Sequence, residues 1–208
     1  MAEFIRQFLS IFTNDGKIIT LFVSMFPLVE LKGAIPIGFS YGESLITSAL
    51  LGYIGSTIIT IPLFFLLIPI FNLLKKIGFI KKIIQKIEAV FENKAQKLAQ
   101  KSNGEAEDKK RKMLILGLFI FVAVPFPVTG VWTGTAIAVF LNMKFKDSFL
   151  PIVIGNLIAG SIITLLTFLL RDYVDIIINC LFIIAIIMLI VFIVKVVKAN
   201  PTKTPNDK

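Results

Sequence analysis

The sequence predicts an all-α integral membrane protein: two inverted repeats, each a re-entrant hairpin plus a transmembrane helix, with an additional C-terminal transmembrane helix. Three observations predict it. The 208-residue chain is 56% hydrophobic and carries 20 Phe, well above the usage of soluble domains. Its charge-free runs, Ser44 to Leu74, Met113 to Met143, Ser148 to Leu170 and Ile176 to Val194, each meet the roughly 20 residues that a spanning helix needs. Two apolar stretches are interrupted at their middle by proline and glycine, and each is followed by an unbroken span.

Taken in order, residues 1–17 form an amphipathic N-terminal segment, "MAEFIRQFLSIF" and its continuation. It lacks a cleavage site of small residues after an apolar core, so no signal peptide is predicted. Residues 18–74 are the first repeat. Ile18 to Val29 and Gly33 to Gly42 would make one hydrophobic segment, but Gly33, Pro36 and Gly38 are expected to break it into a helix, a turn and a half-helix. Residues 113–170 are the second repeat, whose first part is broken at Pro125, Pro127, Gly130 and Gly134. Irregular backbone at membrane depth is tolerated only where it is buried in protein or lines a cavity. Two such breaks therefore imply an enclosed polar site. "GSTIIT" at Gly55 to Thr60 resembles "GSIIT" at Gly160 to Thr164, each in the span after a break. One hairpin plus one span reverses the side of the membrane, so the second copy is inverted relative to the first, as in transporters with a midplane site.

Charge supplies the orientation. Residues 75–112 hold an excess of Lys and Arg, and the tail, residues 198–208 with Lys195 just before it, is also basic. Both are expected on the cytoplasmic side, with the last span, residues 171–197, leading back to it. In the basic loop, Ile80, Ile83, Ile84, Ile87, Val90, Phe91 and Leu98 recur at helical spacing, which reads as a surface-lying amphipathic helix before a polar linker. Anionic lipid would attract it by about 1 kcal/mol per lysine. Nucleic acid is not expected as a partner, since the loop is tethered beneath a membrane and lacks interleaved aromatics. The sequence leaves the oligomeric state open, a homo-oligomer included.

The candidate site is drawn from both breaks. In "VELKGAIPIG", Glu30 and Lys32 accompany Gly33, Pro36 and Gly38. A charge at bilayer depth costs on the order of 2.5 to 3.5 kcal/mol, so the two need partners or water. Three readings are open: a structural ion pair, an anion or phosphate head-group site led by Lys32 with the N–H groups of the Gly33 to Gly38 bend, or a proton or cation site led by Glu30. In "PFPVTGVWTG", Pro125 and Pro127 free carbonyls, Thr129 and Thr133 offer hydroxyls, and Gly130 and Gly134 let backbones approach. Trp132, the only tryptophan, sits mid-segment, where a ring packs in the hairpin core or lines a pathway more readily than it anchors at an interface. Asn156 is the other polar side chain singled out within a span, and is expected to make a helix-to-helix hydrogen bond.

No His and one Cys remove disulfide, His-zinc and His-base chemistry. No nucleotide-binding loop is present, no cofactor is implied, and Glu30 would have to act alone in any catalysis, so an enzyme is not expected.

"ELKGAIPIG" at Glu30 to Gly38 with "PFPVTGVWTG" at Pro125 to Gly134 resembles the signature pair of the bacterial and archaeal small multidrug export protein family. That family is distantly similar to the DedA and VTT-type membrane proteins, described as two inverted re-entrant hairpins and implicated in moving polyprenyl phosphate or phospholipid. The second break here lacks the acidic residue and the arginine that DedA proteins carry. The resemblance implies a transporter in the cytoplasmic membrane of a prokaryote, moving a small amphipathic or lipid-like substrate; the alternatives are a DedA-like lipid-phosphate translocase or scramblase and a non-transporting structural subunit.

Overall fold

The computed structural model describes residue 7 and residues 11–27, 29–74, 106–126 and 128–199. The described residues form helices joined by turns and short irregular segments, with no strand among them. The N-terminal amphipathic segment up to residue 10 apart from residue 7, the stretch from Ile80 to Leu98 expected as an amphipathic helix, the tail beyond residue 199, and Pro127 lie outside them. The helices are α1 (Gly16–Met25), α2 (Glu30–Ser40), α3 (Leu45–Leu74), α4 (Ala106–Ala123), α5 (Val131–Phe140), α6 (Phe145–Leu169) and, after a 3₁₀ turn at Arg171–Tyr173, α7 (Val174–Ala199). Two of them, Leu45–Leu73 and Phe145–Leu169, are long and apolar enough to cross a membrane.

Local chemistry sets the boundaries. Asp15 caps α1 by accepting from the N–H groups of Lys17 at 2.8 Å and Ile18 at 3.4 Å. Helix α1 stops at Met25, just before Pro27, because the residue preceding a proline is pushed out of the helical region. Residues 106–112, expected in a polar linker, instead begin α4: Glu107 and Asp108 occupy its first turn, where carboxylates oppose the helix dipole, and the following Lys and Arg are good helix formers.

The first break lies at residues 26–29, upstream of the glycines and proline expected to make it. Gly33, Pro36 and Gly38 are all inside α2 and buried. A Cβ on Gly33 would run into Val29, and one on Gly38 would strike Ser48 at 2.8 Å and the Thr20 side chain. Gly33 leaves room for the Val29 side chain just before α2, and Gly38 lets α2 meet α1 and α3; neither bends the chain. The expected anion nest over Gly33 to Gly38 is therefore absent, since the segment is helical. The second break lies at residues 124–130, with Gly134 again inside a helix, against Val122.

Element order recurs along the chain. Helix, break, short helix, tight turn and long helix describe both α1 to α3 and α4 to α6, and the tight turns match bond for bond. Tyr41 N–H donates to Ile37 O at 3.1 Å and Leu141 N–H to Ile137 O at 2.9 Å; Gly42 to Phe39 at 3.0 Å and Asn142 to Val139 at 3.1 Å; Glu43 to Gly38 at 3.3 Å and Met143 to Ala138 at 2.9 Å. Gly42 (φ 88°) and Asn142 (φ 55°) both take the left-handed conformation, which Gly and Asn adopt most easily. Packing recurs as well: α1 lies on α2 and α3, α4 on α5 and α6, α2 crosses to α6, and α3 crosses to α5. Gly55 of α3 abuts Leu21 and Ser24 of α1, as Gly155 of α6 abuts Phe119 and Val122 of α4. Helices α3 and α6 meet each other at Ser56 and Asn156, 100 residues apart. Helix α7 lies on α2, with Val174 and Ile178 in one cluster with Ile19, Val23, Ala34 and Ile37.

Candidate functional site

The two breaks meet. Lys32 Nζ lies 3.0 Å from Glu30 Oε2, and both residues are only 5% exposed. Glu30 Oε1 accepts the backbone N–H of Trp132 at 3.0 Å, and Lys32 also donates to the carbonyl of Thr129. The Trp132 indole N–H donates back to the carbonyl of Met25 at 3.0 Å. Three separate bonds therefore tie the start of α2 and the end of α1 to the second break.

Each contact has a local cause. Helix α5 starts at Val131 with Gly130 before it and no side-chain cap of its own, leaving its first N–H groups without partners inside the helix. Glu30, from the other half of the chain, supplies the missing acceptor and places a negative charge at the positive end of the α5 dipole. Gly130 is what makes room: a Cβ there would fall on the Glu30 carboxylate. Glu30 itself has φ 48° and Val128 has φ 73°, the latter sterically costly for a β-branched residue. Side chains hold the second break in shape. Thr129 Oγ1 lies 2.7 Å from Val124 O and 2.9 Å from Phe126 O and accepts Phe126 N–H at 3.2 Å, while Thr133 donates to the carbonyl of Val128.

Of the residues singled out from sequence, Glu30, Lys32, Thr129, Gly130 and Trp132 converge here directly. Thr133 braces the second break; Pro125 lies within it, where its ring prevents helix continuation. Gly33, Pro36, Gly38 and Gly134 lie inside helices, Gly38 and Gly134 where neighbouring helices touch, and Pro127 lies outside the described residues. Asn156 is elsewhere: its amide donates to Ser56 Oγ at 2.8 Å and reaches Thr57 Oγ1 at 3.4 Å, joining α3 to α6. The carbonyls of Met25 and Thr129 are partners that sequence reading did not supply, because main-chain acceptors carry no residue signature. No group of three or more His, Cys, Asp or Glu side chains able to hold a metal is found among the described residues.

The arrangement is an internally neutral, nearly dry contact between two irregular backbone segments. Neutralising either charge changes the bonds that link them, since Glu30 is shared between Lys32 and the α5 N-terminus. A family model described as "Putative small multi-drug export protein" matches residues 30–162, a span running from Glu30 at the start of α2 through the second break and most of α6. No curated protein and no solved structure matches the chain.

Proposed function

The chain belongs to this family, whose match covers more than half of it, and on that premise we propose that it is a membrane transporter working by gradient-driven alternating access between two re-entrant hairpins, inverted relative to one another. The substrate class is a small amphipathic or lipid-like molecule, and the compartment a prokaryotic plasma membrane with the basic loop and C-terminus cytoplasmic and anionic lipid at that loop. The observation that carries this reading is the buried link of Glu30 and Lys32 to Trp132 and Thr129.

Length supports the hairpins. Helices α1 and α2 have 10 and 11 residues, and at 1.5 Å per residue each rises about 15 Å, half of a hydrocarbon core roughly 30 Å thick. Two hairpins entering from opposite faces would meet tip to tip near the midplane, and the bonds between residues 26–32 and 124–132 are contacts that such tips would make. Protonating Glu30 removes the charge that holds the Lys32 ammonium and weakens its bond to the α5 N-terminus, loosening one hairpin from the other. An ionisable residue within a membrane is by default a candidate functional site. A lipid-phosphate translocase is the second reading. Its support is Lys32, whose three donors include two that meet Glu30 and Thr129, leaving the ammonium chemistry suited to a phosphate once the carboxylate is neutral.

Proteoliposome flux of a lipophilic cation and of a polyprenyl phosphate, compared for wild type, Glu30→Gln, Lys32→Gln and the double variant, tests the proposal. Glu30→Gln keeps the acceptor for Trp132 but cannot titrate; it is expected to insert and to lose gradient-driven flux, while Lys32→Gln weakens anionic substrates first. A purely structural pair behaves differently: each single change lowers protein yield and the double restores it, because removing one partner of a buried pair is worse than removing both. Recovered flux in the double variant would sink the coupling role.

A further inference from the structure

Helices α3 and α6 run antiparallel, with Ser56 and Asn156 at their crossing. On the side of that crossing toward Leu45 the two helices part. A groove of about 530 Å³ opens there, lined among others by Leu45, Ala49 and Tyr53 of α3 and by Thr164, Leu165 and Phe168 of α6. On the opposite side they are closed by phenylalanines. Phe64 and Phe145 meet edge to face at 5.2 Å between ring centroids, Phe65 stacks on Phe145 at 5.3 Å, and Phe149 stacks on Phe145 at 5.1 Å.

These two places are the same place in the recurring backbone. The spacing of 100 that relates Ser56 to Asn156 also relates Leu45 to Phe145, Ala49 to Phe149, Phe64 to Thr164 and Phe65 to Leu165. Four aromatic rings on one side are thus replaced by Leu, Ala, Thr and Leu on the other, and the volume they vacate is the groove. Its lining is uncharged and mostly apolar, with Tyr53 contributing a ring that ends in one hydroxyl. No Asp, Glu, Lys or Arg lines it, and the hydroxyls of Ser161 and Thr164 are turned to their own helix, donating to Leu157 O at 2.9 Å and Gly160 O at 2.7 Å. Its rim is the exposed apolar surface of Leu50, Leu157 and Phe168. Its floor is continuous with the candidate site, because Leu31, the residue between Glu30 and Lys32, packs with Ile35, Ile163, Leu45 and Ala49 and lies under Gly160.

We propose that the groove holds one hydrocarbon chain of an amphipathic lipid entering sideways from the membrane, and that Phe64, Phe65, Phe145 and Phe149 are the shut counterpart of that groove, a lateral gate on the other side of the α3–α6 crossing. The uncharged lining selects a hydrocarbon chain over an ion, and the volume falls within the 300 to 1,000 Å³ of small-ligand sites. The closed side is held by ring-to-ring contacts alone, since phenylalanine side chains make no hydrogen bond or ion pair. In this structure one portal is open and its mate is closed. The inference rests on the transporter reading for its direction of passage, though not for the occupancy of the groove.

The test is photolabelling of the full chain in phosphatidylcholine vesicles containing a phosphatidylcholine with a diazirine on its acyl chain, with labelled residues located by mass spectrometry. Wild type is expected to concentrate label on Ala49, Gly160 and Thr164 over the lipid-facing strip around Ile58. L45F/T164F, which returns rings to the groove, should lose that excess, and F64T/F145L should gain label at the equivalent side, on Phe149 and Thr60. A49F serves as a milder plug should L45F/T164F not fold. Label spread evenly over the apolar surface, a plug variant labelled like wild type, or a folded F64T/F145L without new label would each overturn the proposal. Flux is read in the same vesicles: the expected labelling without flux of either probe leaves groove and gate standing and removes the transporter reading.

Discussion

The two helix breaks occupy matching places in the chain and do opposite chemical work. At the first, Glu30 and Lys32 stand at the start of α2; the matching positions before and within α5 are Gly130 and Trp132. One side supplies charge, and the other supplies space and main-chain donors. Gly130 is empty where Glu30 needs volume, and the uncapped start of α5 offers the N–H that the Glu30 carboxylate takes. A recurring scaffold thus places two different surfaces face to face, and the site exists only between them. Neither break satisfies itself, so a change on the neutral side is as serious as one on the charged side.

Breaking that complementarity from its neutral side should give the largest effect. Gly130→Val puts side-chain atoms on the Glu30 carboxylate and is expected to cost about 3 to 5 kcal/mol, the usual loss when a buried charge is deprived of its partners; thermal unfolding in detergent measures it. A smaller contrast lies in the tight turns. Gly42→Ala forces a Cβ into a left-handed residue and should cost about 1 to 2 kcal/mol, whereas Asn142→Gly relaxes the matching turn and should change stability by only a few tenths of a kcal/mol, roughly the difference between two residues that both tolerate this conformation. The same melts report both.

A further contrast differs in sign between the halves. Among the described residues, Ser48 Oγ is the buried side-chain atom without a hydrogen-bond partner, while Ser148 Oγ lies 3.1 Å from the carbonyls of both Lys144 and Phe145. Ser48→Ala is therefore expected to raise the melting temperature slightly. Ser148→Ala should lower it, by an amount matching roughly 0.5 to 1.5 kcal/mol for a lost hydrogen bond. Equal shifts of one sign would show that the two serines stand in the same environment after all, against the difference in their hydrogen bonding.

The spans were legible because absence of charge over many residues is a strong, additive signal: Leu45–Leu73 and Phe145–Leu169 fall within or close to the charge-free runs. The first break lies earlier in the chain than its glycines and Pro36 predict. Proline and glycine were read as breakers, yet Pro27 ends α1 while Pro36 sits inside α2, and a glycine that lets helices touch looks the same in a sequence as one that bends the chain. The letters also paired Gly55 with Gly160, whereas the packing pairs Gly55 with Gly155. What recurs is backbone geometry, in turns that Gly42 and Asn142 make equally well, and geometry of that kind leaves few identical letters. Glu30 and Lys32 stood out in the sequence as charges needing partners; that the partners are the N–H of Trp132 and the carbonyl of Thr129 is a tertiary fact with no local trace.

Trp132 carries one further consequence. It is the only indole in the chain, half-buried, with its ring N–H bonded to Met25 and its backbone N–H bonded to Glu30. Tryptophan emission from the unmodified protein therefore originates at the one point where the two breaks touch, without background from any other residue of its kind. Indole emission shifts with the polarity and hydrogen bonding around the ring, so water entering as the breaks separate would move the spectrum to the red. The protein carries its own optical gauge of that separation, readable in vesicles while a gradient is applied.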